Sequence, residues 1–247
     1  MYKKMAEVYD LLMSDAPYDN WLNFTEAAIS YNEVSHVLEV GCGTGELALK
    51  LSNKGYDVTA FDVSCEMIEV AQQKAKVQNS NCQFFQGEAS SFDINQSFDL
   101  VVSYCDVLNY IVEPSALNKT FKNIFKHLND DGIFIFDVHS IAYVDWLIER
   151  EIFSEIREEI THIWLCEPGM NEGEIQHDLT FFVQRENQLY ERYDEQHVQR
   201  TYPVQYYKQV LNDIGFEKVD IYYDFHVEEN EKAEEDADRI FFVCSKK

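Results

Sequence analysis

Val37-Leu38-Glu39-Val40-Gly41-Cys42-Gly43-Thr44-Gly45-Glu46-Leu47 is the stretch whose reading decides the fold. The apolar run Val37 to Val40 reads as a buried strand. Three glycines follow at alternate positions, and Glu46 to Leu51 carries apolar residues at helical spacing. The order is therefore strand, glycine turn, helix. Gly41, Gly43 and Gly45 lack Cβ, so the chain can turn sharply and a ligand can approach its backbone. The amides of such a turn, and of the helix it opens, offer donors to polar ligand groups. Many nucleotide-binding folds use a glycine turn. Two acids narrow the choice here: Glu39, two residues before the first glycine, and Asp62, at the end of the next strand.

Glu39-Val40-Gly41-Cys42-Gly43-Thr44-Gly45 resembles the first motif of class I S-adenosylmethionine (SAM) dependent methyltransferases. Asp62 closes Tyr56-Asp57-Val58-Thr59-Ala60-Phe61-Asp62 and is similar to the acidic residue that grips the SAM ribose in that family. The resemblance runs through residues 35 to 140. It extends more loosely to both ends, where the chain is similar to uncharacterised small-molecule methyltransferases of Gram-positive bacteria. It implies an α/β, Rossmann-like, doubly wound sheet of seven mixed strands in the order 3-2-1-4-5-7-6. It also implies SAM as cofactor, held by Glu39, Gly41, Cys42, Gly43, Gly45, Asp62 and Val63. A carboxylate at Asp62 can accept two hydrogen bonds from a ribose diol. The competing reading is that Asp62 caps the next helix, a task Ser64 could also perform. Further positions follow from the family: Met67 against adenine, Glu88 on its exocyclic amine, the Ala89 amide on a ring nitrogen, and Cys105 through its backbone. For Met67 core packing, and for Glu88 a solvated loop, are the alternatives.

Composition bounds the partners. The chain has 247 residues, 46% hydrophobic, with a net charge of −25. Phosphate binding needs clustered Lys and Arg, so this charge argues against nucleic acid and against anionic membrane surfaces. A cationic or neutral acceptor is easier to reconcile with it. The six cysteines are scattered, with no C-x-x-C pair. They read as reduced thiols of a cytoplasmic protein, with no metal site and no disulfide frame. Met1-Tyr2-Lys3-Lys4 leads into a mixed amphipathic stretch instead of a signal peptide, and no apolar run reaches the length of a membrane span.

Around the motif the chain divides into a core, 1–140 and 203–247, and an insertion, 141–202. Helices are expected at 2–14 and 17–31, lying in the family across the cofactor pocket. Tyr9, Tyr18 and Trp21 are candidates to touch SAM or the acceptor, with aromatic packing as the alternative. A helix over 65–78 and a strand over 82–86 follow. Strand 98–103 leads to Asp106 and Asn109, at the end of a sheet where α/β proteins bind ligands. This segment lacks the Asn-Pro-Pro-Tyr type motif and the Pro-Cys pair of nucleic-acid methyltransferases. Pro114 opens a helix to 128, and strand 133–138 ends in Asp137 and His139. Two apart on a strand, these share a face and form the local candidate for a general base; a structural Asp–His hydrogen bond is the equal alternative.

Three strands, 160–166, 174–184 and 189–199, are too much for an ordinary connection and are expected to form an antiparallel β cap over the pocket. Its polar candidates for acceptor contact are His177, Tyr193, His197 and Arg200. Helix 203–214 and strands 216–226 and 239–245 complete the core, with a solvated loop of seven acids and one Lys across 228–238. The expected activity is SAM-dependent methylation of a small molecule. A SAM-binding module without catalysis is one rival. An NAD-dependent oxidoreductase is another, although the third glycine falls one residue early for Gly-x-Gly-x-x-Gly. Monomer and homodimer both stay open.

Overall fold

A computed structural model describes residue 6, residues 8–226 and residues 234–247. In chain order the elements begin α1 (Tyr9–Leu12), α2 (Tyr18–Ala28), β1 (His36–Val40), α3 (Glu46–Asn53), β2 (Asp57–Asp62), α4 (Cys65–Gln78), β3 (Gln83–Gln86) and β4 (Phe98–Ser103). Next come α5 (Pro114–His127), β5 (Leu128–His139), α6 (Ile141–Arg150), β6 (Ile152–Ile156), β7 (Ile160–Pro168), β8 (Glu174–Gln184) and β9 (Tyr190–Arg200). The chain closes with α7 (Val204–Ile214), β10 (Lys218–Tyr223) and β11 (Arg239–Ser245).

Seven strands form one sheet in the order β10-β11-β5-β4-β1-β2-β3. Because β6 to β9 belong to a second sheet, β10 and β11 are the sixth and seventh core strands. The order is thus the expected 3-2-1-4-5-7-6. Strands β1 to β5 run parallel, and β11 is antiparallel to both β5 and β10. Alternation along β1 explains why both faces must be covered. Val37 packs with residues of α2, α3 and α4 on one face, and Leu38 and Val40 pack with α5 and α7 on the other. All three are buried, as a doubly covered parallel strand requires.

The second sheet runs β6-β7-β8-β9, all antiparallel. Helix α6 seats Val144 and Leu147 against Cys166 and Ile175 of it, while Val8, just before α1, packs with Ile160, Phe181 and Val183. The sequence reading found three of these strands. It missed β6, a five-residue edge strand, and α6, whose start is marked by Ser140 Oγ accepting from the Tyr143 amide.

Other boundaries also differ. Among the described residues of the expected helix 2–14, only Tyr9–Leu12 is α-helical. The strand expected over 216–226 stops at Tyr223, because Asp224 and Phe225 adopt left-handed backbone, which ends an extended ladder. Strand β5 reaches back to Leu128 through a register shift, so it begins five residues before the expected start at 133. Much of the acidic stretch 228–238 lies outside the described residues; Glu234–Asp236 is a 3-10 turn.

Candidate active site

The site starts at the carboxyl end of β1. The Gly41 and Cys42 amides both donate to the Phe61 carbonyl, which pins the glycine turn to β2. All three motif glycines have positive φ. A Cβ on Gly41 would collide with Val107, and one on Gly45 would stand 2.8 Å from the Phe84 ring. Gly43 is different: only the Tyr9 ring comes within 4 Å of its Cβ position, so its face is open toward a ligand.

A cavity of about 800 Å³ opens over this turn. Of the expected cofactor residues, Glu39, Gly41, Cys42, Gly43, Asp62 and Val63 line it. So do Met67, Glu88, Ala89, Cys105, Tyr18 and Trp21. Gly45 does not; its role is to let α3 close against Phe84. The cap of α4 and the Asp62 carboxylate are distinct groups. Ser64 Oγ accepts from the Met67 amide and caps α4. Asp62 accepts at Oδ2 from the Gly43 amide and at Oδ1 from the Ser64 amide, each at 2.9 Å. Each oxygen keeps a second acceptor position, enough for two ribose hydroxyls.

Glu39 is the other acid here. Its Oε2 is buried with no hydrogen-bond partner. Burial, then the neighbouring Asp62 charge, push its carboxyl up to about 8. An orphaned acceptor, a paired acid with free lone pairs, an open glycine face and an apolar Val63–Met67 side fit SAM. A testable consequence follows for the cofactor-free protein. A carboxyl raised from 4.5 to about 8 leaves its stabilising contribution intact below pH 4.5 and loses it as pH climbs toward 8. Glu39→Gln is expected to flatten that loss, raising stability at pH 8 by a few kcal/mol (roughly) and leaving pH 4 little changed. Thermal melts across pH check it; parallel pH curves for variant and wild type would refute it.

Opposite the glycine turn lies a charged cluster. Cys105 and Asp106, one residue beyond β4, are both left-handed (φ 60° and 52°). This strained turn is held from several sides. The Asp106 amide donates to Asp137 Oδ1 (3.1 Å), Gln199 Nε2 donates to Asp106 Oδ2 (2.6 Å), and Arg239 Nη2 donates to Asp106 Oδ1 (3.1 Å). Arg239 Nη1 and Trp21 Nε1 both donate to Asp137 Oδ2 at 2.8 Å, and the guanidinium lies over the Trp21 ring. Burial works against the Asp106 charge, but His139, Arg239 and Gln199 hold its carboxyl well below the usual range. Burial pushes Asp137 up, against the pull of Arg239.

This geometry corrects the expected Asp137–His139 pair. Asp137 is fully buried, is enclosed by Trp21, Arg239 and the Asp106 amide, and does not line the cavity. His139 does line it, and its carboxylate neighbour is Asp106, with Nε2 3.5 Å from Oδ1.

From the second sheet, His177 and His197 reach the cavity, joined by Trp164, Leu179 and Gln199, which the sequence reading had not singled out. Trp164 Nε1 donates to His177 Nδ1 (2.9 Å), so His177 Nε2 carries the proton and donates to Gln199 Oε1 (3.1 Å). Burial lowers His177 to about 4 and lowers His197 as well, so both are neutral at pH 7. Tyr9 and Asp106 line the cavity as expected. Asn109, Tyr193 and Arg200 do not. Asn109 is buried and braces the frame, donating to the Arg200 carbonyl and accepting from the His139 amide. Tyr193 packs with Val8 and Ile160, and the Arg200 side chain lies over Tyr202. Arg239 went unread because only the antiparallel pairing of β11 on β5 sets it opposite His139.

A seven-stranded sheet with a reversed last strand, a glycine turn after β1 and an acid ending β2 define a class I SAM-dependent methyltransferase. The comparisons agree. A family described as "Methyltransferase domain" matches residues 37–132. The chain is 40% identical to "Putative methyltransferase GWCH70_2453" of Geobacillus sp. (strain WCH70) over 248 residues, 99% of each chain. It is 37% identical to "Putative methyltransferase YqeM" of Bacillus subtilis (strain 168), covering 100% of this chain and 97% of that one. The structure is similar to that of a SAM-dependent methyltransferase from Clostridium acetobutylicum ATCC 824, with TM-score 0.86, 28% identity, and 99% and 98% of the two chains covered. The chain belongs to this methyltransferase family, and its cofactor is SAM. Among the described residues, no helix is long and apolar enough to cross a membrane, and no group of His, Cys, Asp or Glu could hold a metal ion.

Proposed function

We propose that this methyltransferase acts on a small-molecule acceptor in the cytoplasm, with the insertion 141–202 serving as a cap that selects it. The observation that carries the reading is a single cavity of about 800 Å³ running from the glycine turn to His177 and His197 of the second sheet. That volume lies in the range of small-ligand sites. SAM, when bound, would supply a methyl group on a sulfonium for transfer to an acceptor lone pair, with S-adenosylhomocysteine as the leaving group. The chain's own task is to position and desolvate. Asp62 would hold the ribose, the glycine turn the methionyl portion, Val63 and Met67 the adenine, and Glu88 and the Ala89 amide its edge. Tyr9, Tyr18 and Trp21 close the cavity from the N-terminal side.

Where the acceptor must first lose a proton, His139 is the group to take it, oriented by Asp106. His139→Ala is then expected to lower kcat by about 10²-fold or more with little change in SAM affinity; full turnover by the variant would remove His139 from the chemistry. The reading as a whole is tested by a metabolite-library screen for S-adenosylhomocysteine release. Turnover on a small molecule supports it, whereas release only with protein or nucleic-acid acceptors sinks it.

A further inference from the structure

We propose that the acceptor is an amine, and that the acceptor side of the cavity turns away molecules carrying a carboxylate or phosphate beside the reacting atom. The inference rests on the small-molecule reading above and adds the charge class of the substrate. Among the described residues that line the cavity, the one Lys or Arg is Arg239. Its two terminal nitrogens are already committed, one to Asp137 at 2.8 Å and one to Asp106 at 3.1 Å, and its face rests on Trp21. His139, the imidazole nearest that cluster, is also set beside Asp106.

The two remaining imidazoles in the cavity, His177 and His197, are kept neutral by burial. His177 further has both ring nitrogens engaged, one by Trp164 and one by Gln199. Among the described residues of this lobe, the one Lys or Arg is therefore paired with two carboxylates. An anionic acceptor would bring a further negative charge beside Asp106 and Asp137, whose shared Arg239 is the one described Lys or Arg of the wall, a strongly unfavourable arrangement. The rest of the wall adds to the same field, since Asp15, Asp62 and Glu88 also line the cavity.

For an amine the same wall is favourable. Tyr110, Tyr143 and Trp164 also line the cavity, and aromatic rings attract a cation or a polarised N–H. Asp106 offers a carboxylate held ionised by its partners, and its side chain remains partly exposed toward the space. Attraction for the acceptor and rejection of its acidic analogue thus come from one arrangement.

The test uses the full chain saturated with S-adenosylhomocysteine, titrated calorimetrically with benzylamine, benzyl alcohol and benzoate, which share a ring and differ in charge. S-adenosylhomocysteine binding is measured first; its absence would overturn the cofactor reading and this inference with it. Given that binding, benzylamine is expected to bind about tenfold or more tighter than benzoate, with the alcohol between them. Asp106→Asn is expected to narrow that ratio several-fold (roughly) by releasing half of Arg239. Benzoate binding as tightly as benzylamine, or none of the three binding, overturns the proposal while leaving methyl transfer to a small molecule standing. The wild-type ranking is decisive by itself, so a poorly folded Asp106→Asn protein does not spare the proposal.

Discussion

Asp137→Ala is expected to destabilise the protein by about 3–5 kcal/mol, the cost of breaking a buried ion pair from one side. The carboxylate has no exposure to solvent and accepts three hydrogen bonds, from Trp21 Nε1, Arg239 Nη1 and the Asp106 amide. Its removal strands all three donors at once. A guanidinium loses one of its two carboxylates, the indole N–H of α2 loses its acceptor, and the left-handed turn after β4 loses the bond that holds its backbone. Asp137→Asn keeps an oxygen for one or two of those donors and removes only the charge, so about half the loss is expected. Urea denaturation of the two variants checks this. An Asp137→Ala protein within about 1 kcal/mol of wild type would mean that the cluster is not what ties α2, β5 and β11 together.

Asp62→Ala is expected to weaken SAM binding by about 10²-fold, roughly 3 kcal/mol. On the proposed contact, two charge-assisted hydrogen bonds to the ribose would be lost, each worth about 1.5–3 kcal/mol before the pocket relaxes. The Gly43 amide also loses its acceptor, so the glycine turn that lines the cavity loosens. The fold itself should tolerate the change better than Asp137→Ala, because the cap of α4 belongs to Ser64 and stays. Asp62→Asn should fall between. Calorimetry with S-adenosylhomocysteine reads the effect; an affinity within about threefold of wild type would remove Asp62 from the ribose.

How much of this was readable beforehand varies by residue in an orderly way. Glu39, the glycines and Asp62 were legible because they lie within one strand–turn–helix–strand unit, where local geometry fixes what each side chain can reach. His139 was found, but with the wrong partner. The even spacing of Asp137 and His139 along β5 was read correctly as a shared strand. It could not show that Trp21 and Arg239 would close around the first and leave the second to Asp106. Tyr193 and Arg200 were chosen for chemistry on strands whose facing was unknown, and Gln199, one position from Arg200, is the residue that points inward.

Residues 37 to 62 alone show a strand, a glycine turn, a helix and an acid ending the next strand, and the fold class and SAM came with their resemblance to the methyltransferase motif. That unit follows from short-range patterns: apolar periodicity, turn residues that tolerate positive φ, and an acid at the end of a strand. Tertiary structure alone decided the acceptor side. Gln199 and Arg239 meet Asp106 across 93 and 133 residues of chain. The charge state of that carboxylate, the tautomer of His177 and the isolation of Asp137 all depend on which side chains burial brings together. Such electrostatics are set by distance in space and exclusion of water, and neither is written in the order of the residues.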